Sequence, residues 1–514
     1  MLGILAFIFV IGLIITIHEL GHFYFAKKAG VLCHEFSFGM GPVLWQTKKG
    51  ETIYSIRAIP IGGFVLMAGE DVETSMIKEN QEVRLLIENN IVTKIIVDVN
   101  NKKYQHLDIV KVIDVDLYGK DSDLYVVVKD DEVKRYSVKR DGFYVFKNQE
   151  LMFSPYERSM ESKSPSERFM AIFGGPMMNF ILALTAFFIV GLVTGTPDME
   201  SSKIGNVVED GPAYVAGIRP GDEIISINGN EVNSWHDISR ELDSLVGESA
   251  IIVEWQAETG KVAEVVFPEI TFFSAGFTSN PEKPFELIIS GISKQTVAGK
   301  AGLLNDDKII SINGEEVFLW SEVTDVFKNN ISGELIELTV ERDGKLVDID
   351  ITPYGKEVID SQGFDLVDSH VSISPIHKFS LFASVRSAFT GTINSVKSVF
   401  STISLLIGND QVGIKDLAGP VGIYSLTSKV ATSGVTSLIA WLGLLSVNIG
   451  ILNILPIPAL DGGRLIFLGI EVITKKKINR KVENTIHSIG YFALLALIAF
   501  ITWNDIVRII SSFR

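Results

Sequence analysis

The 514-residue sequence is short of cysteine. It has one, Cys33, so no disulfide can form within the chain. A lone cysteine of this kind reads as a small buried or interfacial apolar residue. Basic residues are outnumbered, 46 Lys and Arg against 62 Asp and Glu, and the net charge of −16 argues against a nucleic-acid partner. No low-complexity tail is present. Charge of either sign is scarce, at 21% of residues, and mean hydropathy is +0.30. That balance is the one expected of a membrane protein that also carries soluble parts.

The lack of charge is concentrated in a few runs. Residues 1–17, MLGILAFIFVIGLIITI, have no charged side chain, and 169–193, 430–460 and 484–504 form three more long apolar stretches. Crossing the hydrocarbon takes about 20 residues, so four transmembrane helices are expected. The first has neither a basic leading region nor a small-residue cleavage site, so it reads as a retained helix and not as a signal peptide. Basic residues flank the runs at Lys27 and Lys28, at Arg158, Lys163 and Arg168, and at Lys475, Lys476, Lys477, Arg480 and Lys481. By the positive-inside rule these flanks are cytosolic. Both termini and residues 194–430 then lie outside.

Between the runs the pattern changes. Residues 36–70 alternate like strands and are punctuated by Gly39, Gly41, Pro42, Pro60, Gly62 and Gly63. A β-hairpin-like element dipping into the bilayer is one reading, since non-helical backbone is tolerated there beside protein or a wet cavity. An ordinary cytosolic sheet is the other. Residues 80–150 are polar and strand-rich, as in a small cytosolic β domain. The stretch AGIRPGDEIISINGNEV at 216–232 recurs as AGLLNDDKIISINGEEV at 301–317, with 11 of 17 positions identical and the copies 85 residues apart.

Each copy has the pattern of a PDZ domain, with Asn228-Gly229 and Asn313-Gly314 suited to tight turns. Asp306 replaces Gly221 in the second copy, and Asp tolerates the left-handed region. Candidate strand-addition edges are Ile204 with Gly205 and Ile289 with Gly291. Two readings stand, peptide-accepting edges or steric filters. Residues 378–408 read as an interfacial amphipathic helix, with Arg386 and Lys397 on one face. Were it a fifth span, Asp461 would fall on the opposite membrane face from His18.

The expected fold is therefore a polytopic α-helical membrane protein with a membrane-associated β element, a cytosolic β-rich insert and two extracytoplasmic PDZ-like α+β domains. The boundaries are 1–30 for the first helix, 31–75 for the β element, 76–165 for the insert and 166–195 for the second helix. The PDZ-like domains take 200–275 and 276–356, and the interfacial helix takes 376–410. The third and fourth helices occupy 430–462 and 483–506.

The first helix ends in His18-Glu19-Leu20-Gly21-His22. Two imidazoles four apart share a helix face and can chelate one zinc ion. Glu19 is placed to take a proton from the ion's water. Three ionisable groups at the mouth of an apolar helix need partners or a function. A third ligand is offered by NILPIPALDGGR at 453–464, where Asp461 ends the third run on the same side. Pro456 and Pro458 suggest an extended approach to it, and Gly462 and Gly463 allow a sharp turn and close packing. As an isolated residue Asp461 reads as a helix N-cap. Paired by topology with the two histidines it reads as a ligand.

The H-E-L-G-H motif, the G-P-x-x-N of FGGPMMNF at 173–180, the repeats, LAGPVGI at 417–423 and N-x-x-P-x-P-x-x-D-G-G occur in that order. Together they resemble the bacterial site-2 proteases over nearly the whole chain. The resemblance implies Zn2+ on His18, His22 and Asp461, Glu19 as catalytic base, and substrate positioning by Asn453 with Pro456 and Pro458. It implies hydrolysis within single-span, pre-trimmed membrane proteins, such as anti-sigma factors and signal-peptide remnants. The setting is the lipid of the bacterial cytoplasmic membrane, with the zinc site near the cytosolic face. The cytosolic strand domain resembles that of Gram-positive members, which usually carry one PDZ domain, and two copies depart from that pattern. An ion transporter and a non-catalytic PDZ scaffold are the rivals. The first lacks a repeated membrane half, and the second needs a broken metal motif.

Overall fold

A computed structural model describes residues 2–69, 77–129, 132–146, 149–408 and 412–512. Residues 70–75 of the expected β element and 409–410 of the expected interfacial helix lie outside these. The chain forms two compact units, Met1–Ala186 with Gly422–Phe500 and Phe187–Val421 with Ile501–Arg514. Among the described residues four helices are long and apolar enough to cross a membrane.

In the first unit the helix Leu2–Lys28 buries Val10, Ile11 and Ile14 against Ala186, Leu442 and Leu445. It touches the helix Pro165–Thr194 backbone to backbone: a Cβ on Gly21 would lie 2.1 Å from Gly174 O. Small residues permit this approach where apolar burial supplies no driving force between helices. The third helix, Val435–Ile454, is shorter than the 430–462 expected. Gly434, at φ 110°, separates it from the helix Pro420–Thr432, and Pro456 follows its end. Its 20 residues still span about 30 Å at 1.5 Å per residue. The fourth helix runs Arg480–Ser512.

The β element is more than a hairpin. The first part of strand Cys33–Lys49 lies between two parts of Thr52–Met67, and its last part, residues 45–49, pairs with 52–56 on the far side. Residues Glu35, Phe36, Ser37 and Phe38 pair with Ile53 to Ile56 on one side and with Gly63 to Leu66 on the other. Gly62, at φ 98°, provides the reversal. Strands between Glu82 and Met152 form a six-stranded sheet, in which Ile91–Ile96 also pairs in parallel with Val133–Phe146 and closes the sheet on itself. Val83, Val92, Ile95, Val126 and Phe153 fill it.

In the second unit both repeat copies build a four-stranded sheet with the same strand order. Asn228-Gly229 and Asn313-Gly314 all have positive φ, as the turn pattern requires, and Asp306 takes φ 70° where Gly221 takes 96°. The copies do not follow one another as 200–275 and 276–356. Strand Glu269–Phe272 pairs with Phe277–Ser279 and with Asp368–His370, and Ile270 and Phe272 join the second copy's core. The first copy is completed from beyond the second. Strand Ile373–Pro375 pairs with Ile204–Val207, and Val371 enters the first core. One copy is thus inserted into the other.

This arrangement corrects the expected edges. Ile204 N–H donates to Asp222 O and Ile204 O accepts from Gly221 N–H, while Ile204 faces Pro375 on its other side. A Cβ on Gly205 would lie 2.3 Å from Pro375 O. Ile289 bonds with Asp306 and Asp307 on one side and pairs with Ser279 on the other, and Gly291 abuts Thr278. None of the four residues is an open edge. The helix Leu381–Gly408 exposes Phe382, Phe389, Ile393 and Phe400 and is not one of the four apolar spans.

Candidate metal centre

Helical spacing stacks His18 above His22 on the face that the first helix turns inward, and both are buried. Asp461 comes from the opposite end of the sequence. The third helix stops at Ile454, and the chain makes a compact turn, with Leu460 N–H donating to Ile457 O and Gly463 N–H to Leu460 O. The approach to Asp461 is therefore turned, not extended. The reversal sits at Ala459, at φ 82°, and not at the two glycines. Gly462 and Gly463 serve close packing: a Cβ on Gly462 would lie 2.1 Å from Leu455 O. Asp461 opens the helix Asp461–Thr474, and the N-cap position is Leu460, without a side-chain cap. The carboxylate is consequently not spent on capping.

Three atoms converge. His18 Nε2 and His22 Nε2 lie 3.2 and 3.3 Å from Asp461 Oδ2, and 3.1 Å from each other. A tetrahedral ion with bonds of about 2.0–2.1 Å holds its ligand atoms roughly 3.3 Å apart, so the triangle has the size zinc needs. Asp461 Oδ2 is buried and has no hydrogen-bond partner. A buried carboxylate oxygen without a hydrogen bond is costly, and a cation held between the three atoms would remove that cost.

Glu19 follows His18 on the helix and lies beside the β element. A Cβ on Gly63 would come 3.3 Å from Glu19 Cγ. The edge that adjoins Glu19 is therefore the 63–66 segment, not 53–56. Asn453 donates from Nδ2 to Ile449 O, 3.0 Å away within its own helix. Pro456 is exposed, and Pro458 packs against the fourth helix, where a Cβ on Gly490 would lie 2.5 Å from Pro458 Cβ.

Several residues around the site carried no assignment in the sequence. Ala171, Gly175 and Asn179 stand at four-residue intervals on the second helix, forming one stripe against the histidines. Ala171 O accepts from His22 Nδ1 at 2.8 Å, and Asn179 Nδ2 lies 3.3 Å from His18 Nδ1. A Cβ on Gly175 would sit 2.3 Å from His22 Nε2, so only glycine leaves the ligand face open. The G-P-x-x-N spacing held this signal, since its Gly and Asn fall one turn apart. His487, on the fourth helix, accepts from Ala459 N–H at 3.0 Å and holds the turn before Asp461. A polar residue inside an apolar run was the cue. Arg168 grips Glu471 with two bonds of 2.9 Å, tying the second helix to the one that Asp461 begins. A cavity of about 310 Å³ is lined by Ile172, Arg168, Arg464, Glu471 and His487 and gives polar space beside the turn.

The model of Peptidase family M50 matches residues 6–497. The chain is 32% identical over 509 residues to a protein of Geobacillus kaustophilus named zinc metalloprotease RasP, covering 98% of each. It is 33% identical over 511 residues to the regulator of sigma-W protease RasP of Bacillus subtilis, again 98% of each. A Shouchella clausii protein named zinc metalloprotease RasP is 31% identical over 511 residues, 99% of each.

Proposed function

We propose, from the premise that this chain belongs to peptidase family M50, that His18, His22 and Asp461 hold its zinc and that Glu19 is its general base. The protein is a zinc-dependent intramembrane metalloendopeptidase of the site-2 type, in a bacterial multi-pass membrane setting. The observation that carries the ligand assignment is the 3.1–3.3 Å triangle closed by a buried carboxylate oxygen without a hydrogen bond.

Zinc held there supplies a Lewis acid and lowers the pKa of a bound water toward about 7. The chain's own residues do the rest. Glu19 takes the proton of the attacking water and returns it to the leaving amine. Gly175 keeps the second helix from filling the space. Asn453, with Pro456 and Pro458, frames the turn on the substrate side.

The substrates are single-span membrane segments already trimmed outside the membrane. One relative is named a regulator of sigma-W, and on that likeness anti-sigma factors and signal-peptide remnants are the class assigned. A helical peptide bond is hidden by its own hydrogen bonds, so the segment must open before it is cut. The strand at 63–66, beside Glu19, is suited to hold the opened segment by strand addition. Consecutive strand residues point their N–H groups to opposite sides. Proline placed singly at Phe64 and Val65 will therefore remove an outward donor in one case, and that variant loses cleavage while keeping zinc. Unchanged cleavage in both would contradict strand addition. The two repeat copies, PDZ-like and extracytoplasmic in this reading, lie on the outer side, and the zinc site lies near the cytosolic face, where Lys27 and Lys28 end the first helix.

The test is cleavage of a single-span peptide by the purified protein in detergent, with and without a zinc chelator. Chelator-sensitive cleavage is expected. Glu19→Gln should reduce it by about 10²–10⁴-fold with zinc content unchanged. Full activity in Glu19→Gln would remove Glu19 from its role.

A further inference from the structure

A neutral imidazole has one N–H and one lone pair. When Nε2 gives its lone pair to a metal, the proton sits on Nδ1 and needs an acceptor. For His22 the acceptor is plain: Nδ1 meets Ala171 O at 2.8 Å, and a carbonyl oxygen can only accept. For His18 the neighbour of Nδ1 is the carboxamide of Asn179, with Nδ2 at 3.3 Å. With His18 Nε2 turned to Asp461 and His22, that contact sets donor against donor. A half-turn of the amide exchanges oxygen and nitrogen within nearly the same outline. Asn179 Oδ1 makes no hydrogen bond, so the half-turn gives up none there.

Given the ligand set proposed above, we infer that Asn179 accepts the Nδ1 proton of His18 through its side-chain oxygen. It is a positioning residue that fixes this ligand's tautomer and ring orientation, as Ala171 O does for His22. The residue is built for the task. It is fully buried, its main-chain carbonyl accepts from Ser446 Oγ at 2.8 Å, and a Cβ on Gly450 would come within 3.3 Å of its own. Three helices therefore meet at this residue: the first touches its carboxamide through His18, the second carries its main chain, and the third bonds its main-chain carbonyl through Ser446 and packs on its Cβ at Gly450. The G-P-x-x-N spacing acquires a reason: glycine clears the ligand nitrogens and asparagine, one turn on, orients one of the rings.

Two measurements on the full-length protein test this. Nitrogen NMR of the zinc-loaded wild type, labelled with ¹⁵N in histidine, should show His18 protonated at Nδ1 and not at Nε2. A proton at Nε2 would overturn the assignment whatever the variants do. Competition titration with a chromophoric chelator then reads zinc affinity. Asn179→Leu should bind zinc about 10–100-fold more weakly. Asn179→Asp keeps an acceptor, cannot donate once ionised, and should bind at least as tightly as wild type. Wild-type affinity in Asn179→Leu, or an equal loss in Asn179→Asp, overturns the role of Asn179 and leaves the ligands standing. A wild-type protein that binds no zinc overturns the ligand set and this inference together.

Discussion

Two carboxylates, one in each unit, keep different company. Asp307, in the second repeat copy, is 1% exposed and is clasped by Arg342, with Nε at 2.7 Å from Oδ1 and Nη2 at 2.6 Å from Oδ2. Asp461, in the unit with the candidate metal centre, faces two imidazoles, and its Oδ2 has no hydrogen bond. A charge taken out of water needs a compensating charge. Asp307 has a permanent one, supplied by the chain, so it is structural. Asp461 faces only imidazoles, which are neutral when they bind a metal, so in the proposed site a bound cation supplies the compensating charge. The same contrast runs through the surroundings. The repeat unit buries Trp255, Trp320, Phe272, Phe277 and Phe327, whereas the unit with the candidate metal centre buries His18, His22, Asn179 and Ser446.

The comparison can be broken from either end. The largest effect is expected at Asp461→Ala: loss of bound zinc and of all peptide cleavage, read by metal analysis and the detergent assay, with the repeat unit's unfolding unchanged. Retained zinc would make the carboxylate structural after all. Next is Arg342→Met, which strands Asp307 in an apolar setting. A broken buried pair costs about 3–5 kcal/mol, so pulse proteolysis should show the second copy opening at lower denaturant while zinc content stays constant. A catalytic defect without a stability change would erase the distinction drawn between the two carboxylates.

The smallest effect is a pH dependence at the root of the β element. His34 sits against Ser154, with Nε2 2.8 Å from Oγ, and burial pushes it down to about 4 from the ordinary 6.5. Arg158 and Lys27 add to the depression and Glu51 opposes it. The folded state resists the proton that the unfolded chain accepts, so the contribution is intact above pH 6.5 and falls away toward pH 4. The unfolding midpoint should drop on acidification through that window, and less so in His34→Gln. An equal drop in both would assign the dependence elsewhere.

How legible each part was follows from the range of the interaction that makes it. His18 and His22 are neighbours by helical spacing alone, so the motif was readable at once. Asp461 was readable only through the charge pattern that oriented the helices. For Asn179 the G-P-x-x-N spacing gave only a shared helix face, and Ala171 gave no signal, because their register against the histidines depends on the Gly21–Gly174 contact between helices. The prolines at 456 and 458 suggested extension, yet His487 holds Ala459 in a left-handed turn. The repeat's turns were correct residue by residue. Its edges were not, because the strand that covers Ile204 comes from 373–375, beyond the whole second copy.

The central claim is that two imidazoles and one distant carboxylate hold the zinc. Zinc X-ray absorption on the purified protein tests it directly. The expected spectrum has two imidazole nitrogens and a carboxylate oxygen at about 2.0–2.2 Å, with the carboxylate contribution absent from any metal left in Asp461→Ala. A wild-type spectrum with sulfur ligands, or one unchanged by Asp461→Ala, would contradict it.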